Sequence, residues 1–133
     1  MIAEFEQVEL FAEARLEILK ELYPLTDPSQ ANYFVVSQFT LARYEPGGFL
    51  RAHADATARV NRFRRISAVL YLNDDYIGGE TAFPRLRQSY RGSVGQALLF
   101  PSHYIHRGEA VVCGRKYALV FFLCDPNTVP EVF

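Results

Sequence analysis

Ile66-Ser67-Ala68-Val69-Leu70-Tyr71-Leu72 is the stretch of sequence that decides the fold class. It is short, rich in apolar and β-branched residues, and followed at once by Asn73, which is typical of a buried strand that ends at a turn. Similar runs cover residues 33–41, 97–100 and 117–123, and shorter strands are predicted at 50–55, 80–83 and 110–112. Many short strands at regular spacing predict a mainly β protein, either a sandwich or a jelly roll.

The segment before these strands has a different period. Residues 2–23 place apolar side chains three and four positions apart, which predicts an amphipathic N-terminal helix packed on the β structure. Tyr23-Pro24 is expected to end this helix, and residues 25–32 to form a turn-rich connection. At 133 residues the chain is expected to be a single domain, 1–133, with a β core at about 33–124.

Composition limits the class of protein. Half of the residues are hydrophobic and 22% are charged, and no apolar stretch reaches the length of a membrane span, so no membrane association is expected. The acidic start, Met1 to Glu6, lacks the features of a secretory signal and predicts a cytoplasmic protein. Cys113 and Cys124 are expected to be free thiols, because a chain of this size needs no disulfide.

Basic residues are concentrated in the middle of the chain. Residues 43–116 hold twelve Lys and Arg against six Asp and Glu, and the segment 56–65 alone carries Arg59, Arg62, Arg64 and Arg65. A positive field of this kind attracts anionic partners, so an anionic substrate or nucleic acid stays open. The simpler alternative, Arg side chains on solvated faces, is favoured because no nucleic-acid recognition motif accompanies them.

His53-Ala54-Asp55 is the first candidate for chemistry. On a strand, side chains two residues apart project from the same face, so an imidazole and a carboxylate there can share one metal ion. The other histidines are His103 and His106, and two His with one carboxylate suit a non-heme Fe(II) site with open positions. We favour His106 as the third ligand and assign His103 no metal role, although either can instead be an ordinary loop histidine.

Five ordered segments carry a resemblance to a known family. Residues 44–55 are similar to a Tyr-x-x-Gly-Gly-x-x-x-x-His-x-Asp pattern, and the others are 68–73, 78–84, 95–101 and the positions His106, Gly114 and Lys116. Together they resemble the prolyl 4-hydroxylase-like branch of the Fe(II)/2-oxoglutarate dioxygenase superfamily over roughly residues 33–124. The resemblance implies a double-stranded β-helix, the jelly roll of that family.

The resemblance also implies the cofactors and the residues that bind them. Fe(II) would be held by His53, Asp55 and His106, with 2-oxoglutarate and O2 as cosubstrates and ascorbate as a reductant. Lys116, ten positions after His106, matches the basic residue that binds the distal carboxylate of 2-oxoglutarate. Arg115 is the alternative, but only one of two neighbours on a strand faces inward. Tyr44 and Tyr71 fall where the family places tyrosines near the cosubstrate.

The implied reaction is hydroxylation or oxidative demethylation, since related halogenases replace the carboxylate that Asp55 supplies here. The substrate would be a small molecule or a peptide, including a prolyl or amino-acid side chain, and the oligomeric state, monomer or homodimer, stays open. One alternative is a cupin-like metal protein, which the H-x-D pattern and Lys116 disfavour. Another is a noncatalytic module that keeps the fold and uses its Arg-rich face to bind a partner.

Overall fold

The computed structural model describes residues 20–130. Within that range Lys20 and Glu21 are helical, and a separate short helix, α1 (Tyr23–Thr26), precedes the strands. The strands are β1 (Val35–Val36), β2 (Thr40–Tyr44), β3 (Leu50–His53), β4 (Arg64–Tyr71), β5 (Ile77–Gly78), β6 (Thr81–Phe83), β7 (Gln88–Tyr90), β8 (Ala97–Pro101), β9 (His106–Gly108), β10 (Val111–Cys113) and β11 (Lys116–Cys124).

The strands form two main antiparallel sheets. In the five-stranded sheet β1 and β2 both pair with β11, which is followed by β4 and β8; the four-stranded sheet has the order β3-β9-β6-β7, and β10 pairs with β5. Tyr71 and Thr81 join the two main sheets through a hydrogen bond between their hydroxyl oxygens, 2.9 Å apart. Rings of Phe83 and Phe100 also meet across the gap, with centroids 5.0 Å apart. The mainly β jelly roll predicted from the sequence is therefore confirmed.

The central strands β4 and β11 of the five-stranded sheet are covered on both faces. Ala68, Phe121 and Leu123 form a core cluster with Leu22 on the face that lies away from the second sheet. Lys116 and Tyr71 lie on the opposite face, because side chains alternate along a strand. A strand covered on both sides is apolar at nearly every position, which explains the continuous hydrophobic run of β11.

The predicted strand 33–41 is wrong as a single element, because it divides into β1 and β2. Val36 is opposite Leu123, and Thr40 is opposite Val120. Val36 and Thr40 are four residues apart, whereas their partners on β11 are only three apart. One residue between Val36 and Thr40 therefore has no partner on β11, as in a β-bulge. Ser37 fills this break: its amide donates to the Phe122 carbonyl at 2.9 Å, and its Oγ accepts from the Phe122 amide at 2.8 Å.

Two other local features differ in part from the prediction. Lys20 and Glu21 are helical and Leu22 is not, so a helix does end just before Tyr23-Pro24, but these two residues also begin the separate helix α1, where Pro is tolerated because the first turn has no use for its missing N–H. Strands β5, β7 and β9 were not predicted from the sequence. Most of the predicted helix 2–23 lies outside the described residues. No helix within residues 20–130 is long and apolar enough to cross a membrane.

Candidate metal centre

Two histidines meet at the edge of the four-stranded sheet. His53 is the last residue of β3 and His106 the first of β9; the two are opposite each other in the ladder, with ring centroids 4.4 Å apart. Asp55 lies beside both: its Oδ1 is 3.0 Å from His53 Nε2, and its Oδ2 is 3.5 Å from His106 Nε2. One ligand atom from each residue lies within 4.8 Å of the others, a group able to hold a metal ion.

Asp55 reaches this group in a different way from the one predicted. The strand predicted at 50–55 would include both His53 and Asp55, but β3 ends at His53. The chain beyond is held from across the fold, where the amides of Asp55 and Ala56 donate to the Ser102 carbonyl at 2.9 and 3.0 Å. The convergence of the two side chains thus depends on a contact with residue 102 and not on strand alternation alone.

The imidazole rings are oriented by the backbone. His53 Nδ1 lies 2.6 Å from the Arg51 carbonyl, and His106 Nδ1 lies 3.0 Å from the Tyr104 carbonyl. A carbonyl only accepts, so each Nδ1 donates its hydrogen to that carbonyl, and each Nε2, which faces Asp55, is the nitrogen that would offer its lone pair to a metal ion there. Metal-binding histidines are usually fixed in this way by a second hydrogen bond. The donor set therefore fits a divalent ion without rearrangement of either ring.

The centre is apolar on one side and open on the other. The His106 side chain is 7% exposed and packs against the rings of Phe100 and Phe83, with centroids 4.7 and 6.1 Å from its own. The His53 side chain is 35% exposed. An approaching molecule would therefore reach the centre past His53, while the phenyl rings exclude water from the His106 side.

Lys116 and Arg115 point in opposite directions. Lys116 is 5% exposed and donates from Nζ to the Gly79 carbonyl at 2.7 Å, with the rings of Tyr44 and Tyr71 5.3 and 5.6 Å away. Arg115 has a side chain that is 61% exposed and donates from Nε to Glu45 at 2.9 Å. The inward position predicted for Lys116 and the outward one for Arg115 are what strand alternation requires.

Burial shifts the pKa values of Lys116 and of the two tyrosines beside it. Loss of hydration lowers the pKa of Lys116 to about 8, with Glu80 nearby opposing the shift and Arg91 adding to it. Burial likewise raises the pKa of Tyr44 and of Tyr71. Both phenols therefore stay neutral hydrogen-bond donors at neutral pH, beside an ammonium group that has no carboxylate within salt-bridge distance in the described residues.

Several residues in the interior around the metal centre and Lys116 were not predicted from the sequence. Thr81 Oγ1 bonds the Tyr71 hydroxyl, and Ser67 Oγ donates to Asp55 Oδ2 at 2.6 Å. Tyr76 is buried, and its hydroxyl has no hydrogen-bond partner in the part of the chain that the structure describes. For Ser67 a signal existed: it is a polar residue in an apolar strand, and it has the same parity as Tyr71.

His103 and two arginines of the segment 56–65, Arg59 and Arg62, lie at the surface. His103 is exposed and outside the group of ligand atoms; its ring meets the edge of Tyr104. Arg59 and Arg62 are exposed on the segment after Asp55, and neither side chain forms a hydrogen bond or ion pair within residues 20–130. By contrast Arg64 donates to the Asp55 carbonyl at 3.2 Å, and Arg65 pairs with Asp125.

A jelly roll with two histidines and a carboxylate at one edge defines a class of metal-dependent oxygenases. The chain belongs to the 2OG-Fe(II) oxygenase superfamily, whose family model matches residues 39–124. This confirms the resemblance noted from the sequence.

Named relatives agree with that membership. A PKHD-type hydroxylase of Idiomarina loihiensis is 32% identical over 89 residues, 64% of this chain and 41% of its own length. One of Synechococcus elongatus is 34% identical over 93 residues, 64% of this chain and 42% of its own. The chain thus spans about two fifths of the length of the curated relatives it matches.

Solved structures show the same fold. The viral collagen prolyl hydroxylase of Paramecium Bursaria Chlorella virus-1 superposes with a TM-score of 0.63 at 21% identity, covering 90% of this chain and 73% of that one. A prolyl-4-hydroxylase of Pseudomonas putida gives 0.59 at 22% identity, covering 92% and 65%.

Proposed function

We propose that this chain is an Fe(II)- and 2-oxoglutarate-dependent dioxygenase that hydroxylates a small-molecule or peptidyl substrate, with His53, Asp55 and His106 as the iron ligands. The observation that carries the proposal is the convergence of one ligand atom from each of two histidines and one carboxylate, all within 4.8 Å of one another. Two nitrogens and one oxygen leave coordination positions for other ligands, which is the arrangement that non-heme Fe(II) oxygenases use.

Bound iron with 2-oxoglutarate and O2 supplies an oxidant strong enough to hydroxylate a C–H bond, while 2-oxoglutarate becomes succinate and CO2. The protein's own contribution is orientation and exclusion of water. Two carbonyls fix the histidine rings, and Phe100 and Phe83 keep the His106 side dry. His53, on the open side, faces the direction from which a substrate would enter.

Lys116 is the proposed partner of the distal carboxylate of 2-oxoglutarate. An ammonium group has three N–H donors, and in the described residues only Gly79 accepts from it. A buried cation with unused donors is costly, and a carboxylate would both neutralise it and accept those hydrogens. Tyr44, opposite Lys116 in the ladder, and Tyr71 supply neutral hydroxyl groups beside the same space.

The substrate is proposed to carry negative charge near the oxidised position. Arg59 and Arg62 lie four and seven residues beyond Asp55, on a segment whose start is held to Ser102 and whose next turn is closed by Thr57. Because neither guanidinium has a partner in residues 20–130, each can bind a carboxylate or phosphate of a substrate at the mouth of the site. The relatives' names favour a prolyl residue as the oxidised group.

The first test is anaerobic addition of Fe(II) and then 2-oxoglutarate to metal-free protein, followed by the weak visible charge-transfer band of the chelate. Wild type should develop the band, His106→Ala should not, and Lys116→Ala should need far more 2-oxoglutarate. A wild type that binds Fe(II) but develops no band would instead indicate a cupin-like metal protein or a noncatalytic module.

Substrate charge is tested by release of succinate above the basal rate with proline peptides of equal length that are acidic, neutral or basic. We expect the acidic peptides to stimulate most, and Arg59→Gln/Arg62→Gln to lose that preference. Arg85→Gln/Arg87→Gln, two exposed arginines of the β6–β7 turn, is the matched control. Equal stimulation by all three peptides would contradict an anionic substrate.

A further inference from the structure

A buried pair of serine hydroxyls lies behind the carboxylate of the metal centre. Ser67 Oγ is 2.6 Å from Asp55 Oδ2 and 2.9 Å from Ser102 Oγ. The two serines are 1% and 0% exposed. Hydroxyls so far from water need protein partners; here Ser67 bonds both the Asp55 carboxylate and Ser102, and Ser102 bonds Ser67. Neither serine is an expected iron ligand.

The directions of these hydrogen bonds follow from proton counting. A carboxylate that binds a metal is ionised and only accepts, so Ser67 must give its single hydroxyl hydrogen to Oδ2. Ser102 must then donate its own hydrogen to Ser67 Oγ. A hydroxyl that both accepts and donates is polarised toward its acceptor, so Ser102 strengthens the bond from Ser67 to Asp55.

Ser102 also fixes the backbone of the same residue. Its carbonyl accepts from the amides of Asp55 and Ala56, whereas β3 has already ended at His53. Asp55 therefore has no ladder partner of its own. Its main chain is held by Ser102 and its side chain by Ser67. Ser67 lies in β4, and Ser102 directly follows β8; both strands belong to the opposite, five-stranded sheet.

We infer that Ser67 and Ser102 are positioning residues that hold Asp55 ready to ligate through Oδ1 alone. The inference rests on the proposed iron site. Ser67 occupies Oδ2, whereas the contact of Oδ1, at 3.0 Å, is with Nε2 of His53, the ligand with which it would share the metal ion. A carboxylate bound through both oxygens would take a coordination position that 2-oxoglutarate or O2 requires. The serine pair thereby keeps one coordination position of the metal free, in addition to increasing metal affinity.

The test compares metal binding by metal-free Ser67→Ala, Ser67→Thr and Ser102→Ala proteins, using anaerobic titration with Fe(II). Loss of a group that orients a metal ligand typically costs about 10–100-fold in affinity. Ser67→Ala should show that loss, and Ser102→Ala a smaller one, because Ser67 can still donate to Asp55. Ser67→Thr keeps the hydroxyl and should bind like wild type.

A second readout separates positioning from general stability. Ser37→Ala removes another serine hydroxyl bonded within the five-stranded sheet, so its metal affinity should equal that of wild type. With Ser67→Ala saturated in Fe(II), the 2-oxoglutarate needed for the charge-transfer band should rise, since Asp55 can then bind through both oxygens. A merely structural role would lower thermal stability without moving that requirement.

The possible failures are distinguishable. If wild type binds no Fe(II), the proposed function and this inference both fall. If wild type binds Fe(II) and Ser67→Ala matches it in affinity and in 2-oxoglutarate requirement, only the serine pair is refuted. Equal losses in Ser67→Ala and Ser37→Ala would also refute it. Should Ser67→Ala not fold, Ser102→Ala decides by the same comparison.

Discussion

The affinity for 2-oxoglutarate should fall as the pH rises above about 8, because the proposed anchor loses its charge there. Burial lowers the pKa of Lys116 to about 8 in the protein without cosubstrate. A bound carboxylate favours the ammonium form and raises that pKa. Binding above pH 8 must therefore be accompanied by uptake of one proton, and by linkage the affinity drops with pH.

The expected size of the effect follows from the charged fraction of Lys116. With a pKa of about 8, roughly nine tenths of the molecules carry the charge at pH 7 and roughly one tenth at pH 9. If only the charged form binds, the apparent dissociation constant at pH 9 is about tenfold that at pH 7, or ~1.4 kcal/mol.

The assay is anaerobic calorimetric titration of the Mn(II)-loaded protein with 2-oxoglutarate at pH 7, 8 and 9, in buffers of different ionisation enthalpy. Lys116→Arg is the matched control, since a guanidinium stays charged throughout this range. Its affinity should change little with pH, and any change it shares with wild type belongs to the metal centre. A wild-type affinity that is constant from pH 7 to 9, or that tracks the Lys116→Arg variant, would refute the argument.

Three further predictions concern Asp55, Gly92 and Lys116. Asp55→Ala should reduce succinate release to background and weaken Fe(II) binding, whereas full activity would refute the ligand assignment. Gly92→Ala should lower the free energy of unfolding by about 1–3 kcal/mol in urea titrations, because the new Cβ would lie 1.9 Å from Cδ2 of Tyr71. The free energy of unfolding of metal-free protein should rise between pH 8 and about 10.5, where the unfolded chain retains the Lys116 proton that the folded state has lost; Lys116→Met should lack this rise.

Local sequence patterns were sufficient to predict the parts of the site that depend on spacing. His53 and Asp55 are two apart, and the chain has only three histidines, so few metal sites could be drawn. Strand alternation allows only one of Lys116 and Arg115 to face inward, and the ten-residue spacing after His106, taken from the family resemblance, selected Lys116. The opposite directions of Lys116 and Arg115 follow from the period of a strand, which is a property of the strand itself.

The errors have causes that lie elsewhere in the chain. The partners of Val36 and Thr40 on β11 are one residue closer together than Val36 and Thr40 themselves. Nothing within residues 33–41 shows this difference, so the break at Ser37 could not be predicted from that segment alone. Likewise the end of β3 before Asp55 is compensated by Ser102, nearly fifty residues later. Both are facts of pairing between distant segments, which a linear pattern does not record.

The division of the site between the two sheets suggests how ligand binding and stability are linked. Both histidines belong to the four-stranded sheet, whereas Asp55 is tied through Ser67 to β4, and Lys116 extends from β11. A metal ion shared by His53, His106 and Asp55 would therefore connect the two sheets at one edge. A cosubstrate that reaches from that ion to Lys116 would connect them a second time. Because ligands that bind only the folded state stabilise it, each should add to the same cooperative unfolding unit.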